Sequence, residues 1–304
     1  MEVVEDLAGF GPPPGGSAVT IGAYDGVHVG HQQLLARLRA VAAERSCATA
    51  VVTFDRHPAL VVRPDSAPKL LTDLETKLDL LAATGIDYTV VVHFDEARSR
   101  EPAADFVRTV LVRCLDARVV AVGRDFHFGH NREGNVEFLE RLGPDLGFAV
   151  LPVDLFDDGH GGAVKVSSTR VRTALAAGDV ATASALLGRP HLVRGPIVRA
   201  EGGPVPAVTV AVAAEICLPA AGLYAGWFRG PDGARAAAAI SVDTPADAPS
   251  EVDVYLLGPG GAGRGARAIV EFTARLADHD SADGRAALTG WVGREAEAIR
   301  AALR

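Results

Sequence analysis

The stretch Ile21-Gly22-Ala23-Tyr24-Asp25-Gly26-Val27-His28-Val29-Gly30-His31 concentrates the residue types that phosphate chemistry needs. The apolar run from Ser17 to Ile21 reads as a buried strand and the glycines after it as a tight strand-to-helix turn. From His31 onward, Leu34, Leu35, Leu38 and Val41 recur at helical spacing. His28 and His31 are three apart, so both lie on one face of the first helical turn. Unpaired backbone N–H groups and the helix dipole favour an anion there, and Gly26 and Gly30 leave the backbone open to a ligand. Together these features predict a triphosphate site in which the imidazoles donate N–H bonds to phosphoryl oxygens. Two other readings stand beside it. One is a metal pair, although the nearest carboxylates form no known zinc spacing; the other is a pair of structural histidines at a helix start.

Two further clusters carry chemistry. Ser167-Ser168-Thr169-Arg170-Val171-Arg172 is a good N-cap group; its hydroxyls, helix-start N–H groups and Arg172 also suit a second anion. In Gly123-Arg124-Asp125-Phe126-His127-Phe128-Gly129, followed by Arg132 and Gly134, two aromatics in a glycine-flanked loop could enclose a flat ring, or could anchor the loop in the core. Arg132 could meet a phosphate. Asp25 either organises the opening loop or helps to hold Mg²⁺.

The run G-x-[FY]-D-G-x-H-x-G-H resembles the nucleotide-binding motif of HxGH nucleotidyltransferases, in the form found in the bifunctional FAD synthetases of bacteria. Those proteins join an FMN adenylyltransferase domain to a riboflavin kinase domain. Residues 166–172 are similar to the family's [IV]-S-S-T-x-[IV]-R, residues 123–134 to its G-x-D-F-x-F-G-x-x-R-x-G, and residues 186–190 to its L-L-G-R-P. His127 stands where the family often has Arg.

The resemblance implies transfer of AMP from MgATP to FMN, giving FAD and pyrophosphate. It implies catalytic roles for His28, His31 and Arg172. ATP would meet Gly22, Tyr24, Asp25, Gly26, His28, Gly30, His31, Ser167, Ser168, Thr169 and Arg172, the serine cluster holding the β- and γ-phosphates. The flavin would meet Asp55, His57, Pro58, Asp125, Phe126, Phe128 and Arg132. Asp55 with His57-Pro58 also reads simply as the end of a strand.

These residues need a scaffold. A chain of 304 residues suggests two domains, at ~100–200 residues each. Strands at 48–54, 88–92, 119–122 and 148–153 alternate with helices behind Thr72–Glu75 (a capping box), behind Pro102 and over 136–142. That order predicts a Rossmann-like α/β domain with a parallel sheet, whose ligands sit at the carboxyl ends of the strands. The first ~14 residues read as a loose lead-in. A strand-like 164–166 precedes two short helices divided at Gly178-Asp179, and the first domain ends at residue 190. Short apolar runs near Ile197 and over 208–212, 223–228, 236–242, 252–257 and 268–272 then predict a small antiparallel β-barrel, closed by a terminal helix from about residue 286.

The second domain, 191–304, departs from the family's kinase half. Where G-R-x-L-G-x-P-T-A-N is expected the chain reads Ala200-Glu201-Gly202-Gly203-Pro204-Val205-Pro206-Ala207-Val208-Thr209. Ala207 replaces the Thr that helps to hold Mg²⁺ and phosphate, Thr209 replaces the Asn, and Asp253 replaces the catalytic Glu. Leu218-Pro-Ala-Ala-Gly222-Leu-Tyr224-Ala-Gly-Trp227 is retained, so the barrel is expected to persist without riboflavin kinase activity. Full bifunctionality, a modified flavin or other phosphate ester as acceptor, and a non-catalytic flavin or nucleotide sensor are the alternatives.

The net charge of −8 argues against general nucleic-acid binding. Cys47, Cys114 and Cys217 are odd in number and scattered, as expected of reduced thiols. With no visible signal peptide and no uncharged apolar run of ~18 residues, a cytoplasmic protein without a membrane partner is expected, with self-association left open.

Overall fold

The computed structural model describes residues 1–154, 166–203, 205–243, 250–258, 263–278 and 285–303. The chain forms two compact units, one of residues 1–68 with 74–166 and one of residues 69–73 with 167–304.

The first unit contains, in chain order, β1 (Glu2–Val4), β2 (Ser17–Ile21), α1 (Val29–Arg45), β3 (Ala48–Phe54), α2 (Pro58–Val62), α3 (Leu74–Ala82), β4 (Tyr88–Val92), α4 (Glu96–Ser99), α5 (Ala103–Phe106), β5 (Ala117–Gly123), α6 (Val136–Leu146) and β6 (Ala149–Val153). All strand pairs are parallel, in the order β1-β4-β3-β2-β5-β6. Alternate residues feed two cores. Val19, Val52 and Val120 join Phe106, Leu111 and Leu139 on one face; Ala18, Val51 and Val119 join Leu34, Leu35, Leu38 and Leu81 on the other. Strands covered on both faces read as unbroken apolar runs, and every residue of β2 is buried. Each fully buried leucine contributes roughly 1.5–3 kcal/mol, so Leu35 and Leu38, with no exposure, anchor α1 firmly beneath its N-terminus.

From β2 the chain steps through β3 and β4 to one side, then returns to β5 and β6 on the other. The order reverses between β2 and β5. Their following loops, 22–28 and 124–129, therefore leave neighbouring carboxyl ends, where open parallel sheets bind ligands.

Several sequence expectations need correction. The N-terminal lead-in is not loose throughout, because Glu2–Val4 adds an edge strand to β4. The helix behind Pro102 is α-helical only over Ala103–Phe106, then widens to a π-type turn over Val107–Cys114. Its apolar face survives that change: Val107, Val110, Leu111 and Cys114 are all buried. Helix α3 runs from Leu74, within the Thr72–Glu75 segment. Of the strand-like 164–166, the first two residues lie outside the described residues, and Val166 is not in a strand.

The second unit holds α7 (Ser168–Ala176), α8 (Val180–Leu187), β7 (His191–Glu201), β8 (Ala207–Ala211), β9 (Gly222–Arg229), β10 (Arg235–Val242), β11 (Glu251–Leu256), β12 (Arg267–Ala277) and α9 (Arg285–Ala301). The six strands close into an antiparallel barrel in the order β10-β11-β8-β7-β12-β9, and closure removes the exposed edges. Leu288, Val292 and Ile299 of α9 pack with Ala207, Leu223, Ala239 and Tyr255. Helix α7, which precedes the change in periodicity near residue 190, is tied to this unit: Ala220 N–H donates to Leu175 O at 2.9 Å and Arg275 Nη1 to Ala177 O at 3.0 Å. Among the described residues no helix is long and apolar enough to cross a membrane.

Candidate active site

The loop between β2 and α1 is built around strain and burial. Tyr24 (φ 51°), Gly26 (φ 81°) and Val27 (φ 40°) all have left-handed backbones. A β-branched residue there is a genuine outlier of the kind found at ligand clamps. Tyr24 is buried, with its hydroxyl 2.8 Å from Thr20 Oγ1; burial pushes the phenol well above its usual range, the Thr20 bond opposing. Its ring lies 4.9 Å from that of His31, so Tyr24 packs against the second histidine.

His28 caps α1, its Nδ1 accepting the His31 backbone N–H at 3.3 Å. An accepting Nδ1 puts the proton of the neutral ring on Nε2. The two imidazoles stack at 3.6 Å and 13°. Burial, and then the neighbouring His28, hold His31 well below the ordinary histidine range; its buried Nδ1 has no hydrogen-bond partner. Two stacked imidazoles at a helix N-terminus, with no acidic residue in its first turn, favour an anion as ligand. A Cβ on Gly30 would sit 3.3 Å from His28 Cε1 and Nδ1 and 3.8 Å from Val166 Cβ, so glycine is what allows the His28 ring to lie there.

Sequence reasoning missed Lys77. It is buried on α3, donating to Phe54 O at 2.7 Å, Thr53 Oγ1 at 3.2 Å and, more distantly, Ala23 O at 3.4 Å. Burial lowers its pKa to about 8, with Asp25 and Asp55 opposing. Lys77 falls four residues before the buried Leu81, inside the apolar stripe of α3, and a charge in such a stripe was the available signal.

Asp55, at the end of β3, accepts from Phe94 N–H at 2.9 Å, Arg56 N–H at 2.8 Å and His93 Nδ1 at 2.6 Å. Burial raises its pKa, but these donors outweigh burial and hold the carboxyl below its usual value. His93 was also missed. His57 caps α2 through Nδ1 (Ala59 N–H, 3.1 Å), and Pro58 takes the first helical position. Asp55, His57 and Pro58 thus have clear local structural duties.

The loop after β5 closes on itself. Phe128 and Gly134 exchange backbone hydrogen bonds at 3.0 and 2.9 Å. The ring is tied to the preceding segment, His130 N–H donating to Glu101 O at 2.9 Å and Ala103 N–H to Glu133 Oε1 at 2.7 Å. Phe128 is buried among Phe106, Phe126 and Phe138, so its ring belongs to the core. Phe126, half-buried and stacked on Phe128 at 5.4 Å, is the aromatic nearer the surface. Asp125 and Arg132 are exposed.

The remaining predicted residues lie in the second unit. Ser167 caps α7, its hydroxyl accepting from Arg170 N–H at 3.4 Å. Ser168 opens that helix and Thr169 is exposed. Arg172 Nε donates to Lys69 O at 2.6 Å. In the barrel, Thr209 and Asp253 face each other across β8 and β11, the hydroxyl donating to Asp253 Oδ1 at 2.6 Å. Ala207 is buried with Leu288 and Val292 of α9.

Among the described residues no group of three His, Cys, Asp or Glu side chains could hold a metal ion. Asp25 is only 6% exposed and its charge is met by Lys77. These residues do not fit a resident Mg²⁺, which keeps several waters when bound.

Residues 12–170, more than half of the chain, match the family model described as FAD synthetase. The chain belongs to the FAD synthetase family. Two relatives are bifunctional riboflavin kinase/FMN adenylyltransferases. That of Escherichia coli K12 is 38% identical over 189 residues, covering 62% of this chain and 59% of the relative. That of Pseudomonas fluorescens is 38% identical over 202 residues, covering 66% and 63%. The chain thus spans about three fifths of the length of these curated relatives. A crystal structure described as a macrolide-efflux protein from Streptococcus pneumoniae superposes with a TM-score of 0.80 over 98% of this chain and 97% of that one. At 23% identity it shows the fold alone. The 22–30 and 123–134 loops both fall inside the matched residues.

Proposed function

We propose that this protein transfers AMP from MgATP to FMN, forming FAD and releasing pyrophosphate. The observation that carries this reading is the pairing of β2 with β5, which puts the histidine loop and the aromatic loop at adjacent strand ends on a family-matched domain. A phosphate oxygen of FMN attacks the α-phosphorus in line; the new P–O bond forms as the bond to the β-phosphate oxygen breaks, and pyrophosphate leaves. Such transfers need positioning and charge stabilisation more than covalent help. His28 and His31, as N–H donors, stabilise the phosphoryl oxygens. Ser167, Ser168, Thr169 and Arg172 take the β- and γ-phosphates, on the strength of their motif. Phe126, Asp125 and Arg132 contact the flavin, while Phe128 holds their loop in place. Mg²⁺ enters with ATP as part of the substrate.

We infer that the barrel has lost riboflavin kinase activity. Supporting this, the Asp253 carboxylate is engaged by Thr209 and the Ala207 position is packed beneath α9; the barrel then serves as a folding or assembly module. The test is chromatography of products from MgATP with FMN and, in parallel, with riboflavin. FAD and pyrophosphate from FMN, with riboflavin unchanged, is the expected result. FMN formed from riboflavin would overturn the reading of the barrel, and silence with FMN would overturn adenylyl transfer.

A further inference from the structure

Lys77 has no part in the motifs, yet it sits where the motifs need support. Lysine occurs only at positions 69, 77 and 165 of a chain that otherwise takes arginine as its cation. At 77 it is buried, in a helical stripe that core packing alone would fill with leucine. Burying an ammonium is costly unless it is paired and hydrogen-bonded. Here the pairing is complete. Phe54 O and Thr53 Oγ1 come from the end of β3, and Ala23 O comes from the loop after β2. Thr53 Oγ1 also donates to Ala23 O at 3.2 Å, and the charge is met by Asp25 and Asp55. Three acceptors converging on a point suit a compact ammonium, whereas the planar fork of arginine needs more room. The residue after Ala23 is the first of the left-handed positions that lead to His28. Strained backbone of this kind persists only when its surroundings over-determine it.

We propose that Lys77 is a positioning residue for adenylyl transfer: by pinning Ala23 to the end of β3 it fixes the 22–30 loop and, through it, the His28 imidazole. This rests on the adenylyltransferase reading above. It predicts a loss in turnover rather than in nucleotide binding, because the group Lys77 controls acts on the transition state.

The test compares Lys77→Met, His28→Ala and the double variant in FMN adenylylation, with melting temperatures and ¹⁵N-histidine spectra of each full-length protein. Lys77→Met should lower kcat by about 30- to 100-fold, as expected for a displacement approaching an ångström. KM for MgATP should stay within about threefold. The double variant should be no slower than His28→Ala alone, since the two changes remove one function. If Lys77→Met does not fold, Lys77→Arg carries the same expectation, as it keeps the charge but not the point geometry. Wild-type turnover in a folded variant, or losses that multiply in the double variant, would overturn the proposal. Should the wild type itself fail to adenylylate FMN, the function reading falls, and the spectra decide Lys77 alone. A His28 Nδ1 resonance that leaves its accepting position in Lys77→Met supports positioning, and an unmoved resonance refutes it.

Discussion

Gly30→Ala separates stability from activity in opposite directions. The added Cβ would lie 3.3 Å from His28 Cε1 and Nδ1, so the ring must yield by a few tenths of an ångström. The bond from His31 N–H to His28 Nδ1 is already long at 3.3 Å and cannot absorb that shift without weakening. Misplacement by ~1 Å costs about a hundredfold in rate, so a third to a half of that distance costs about five- to tenfold. Alanine is the better helix former by up to about 1 kcal/mol, and Gly30 is the second residue of α1, with ordinary helical backbone to receive it. The expected variant is therefore five- to tenfold slower in forming FAD from FMN, with an unchanged or higher urea midpoint. Steady-state kinetics and denaturant unfolding on one preparation decide it. Unchanged kcat/KM would show that the His28 ring position does not matter; parallel loss of rate and stability would show that Gly30 serves the fold instead.

His191 is buried against Cys217 O, Nε2 to O 2.9 Å, and burial is the main cause that lowers its pKa to about 4. The unfolded chain takes up that proton first, so this contribution to stability is complete above pH ~6.5 and is lost as pH falls towards 4. The swing is about 3 kcal/mol. His31 shifts in the same direction and adds to it. Urea midpoints at pH 7 and pH 5 should differ strongly in the wild type and less in His191→Gln, which keeps a donor for Cys217; an equal difference would refute the assignment. Gly129→Ala places a Cβ 2.6 Å from Ala103 Cβ at φ 73°, so backbone must move. A loss exceeding about 2 kcal/mol is expected from chemical denaturation, combining the left-handed penalty with overpacking. Tyr24→Phe removes the bond to Thr20 and should cost about 1–2 kcal/mol while leaving KM for MgATP unchanged. A raised KM would restore the hydroxyl as a nucleotide ligand.

The local parts of the site were readable in the chain. Strand, glycine turn and helix at residues 17–41 are consecutive, so periodicity and the i, i+3 spacing of His28 and His31 bring them together without any long-range contact. The barrel strands were readable for the same reason, each being a short apolar run between breakers. What could not be read was pairing between distant segments. That β5 lies beside β2, rather than beyond β4, is decided by crossover packing; this adjacency is what puts the 124–129 loop and the histidine loop at neighbouring strand ends. Strand β1 escaped because Glu2-Val3-Val4 is too short to show alternation. Lys77 escaped because a lysine reads as a solvated side chain until its helix is docked. Phe126 and Phe128 share a motif, yet only packing distinguishes the ring that fills the core from the ring nearer the surface.

The closed loop after β5 is a self-contained excursion from the sheet that carries it. Two backbone hydrogen bonds at Phe128 and Gly134 close residues 129–133 into a loop. Their exchange leaves the register of β5 against β2 untouched. Under the proposed adenylyl transfer, variation there would change which molecule is adenylylated while the histidine loop stays as it is. On that proposed reading, such a scaffold would diversify its acceptors by small steps, each starting from an unchanged histidine loop.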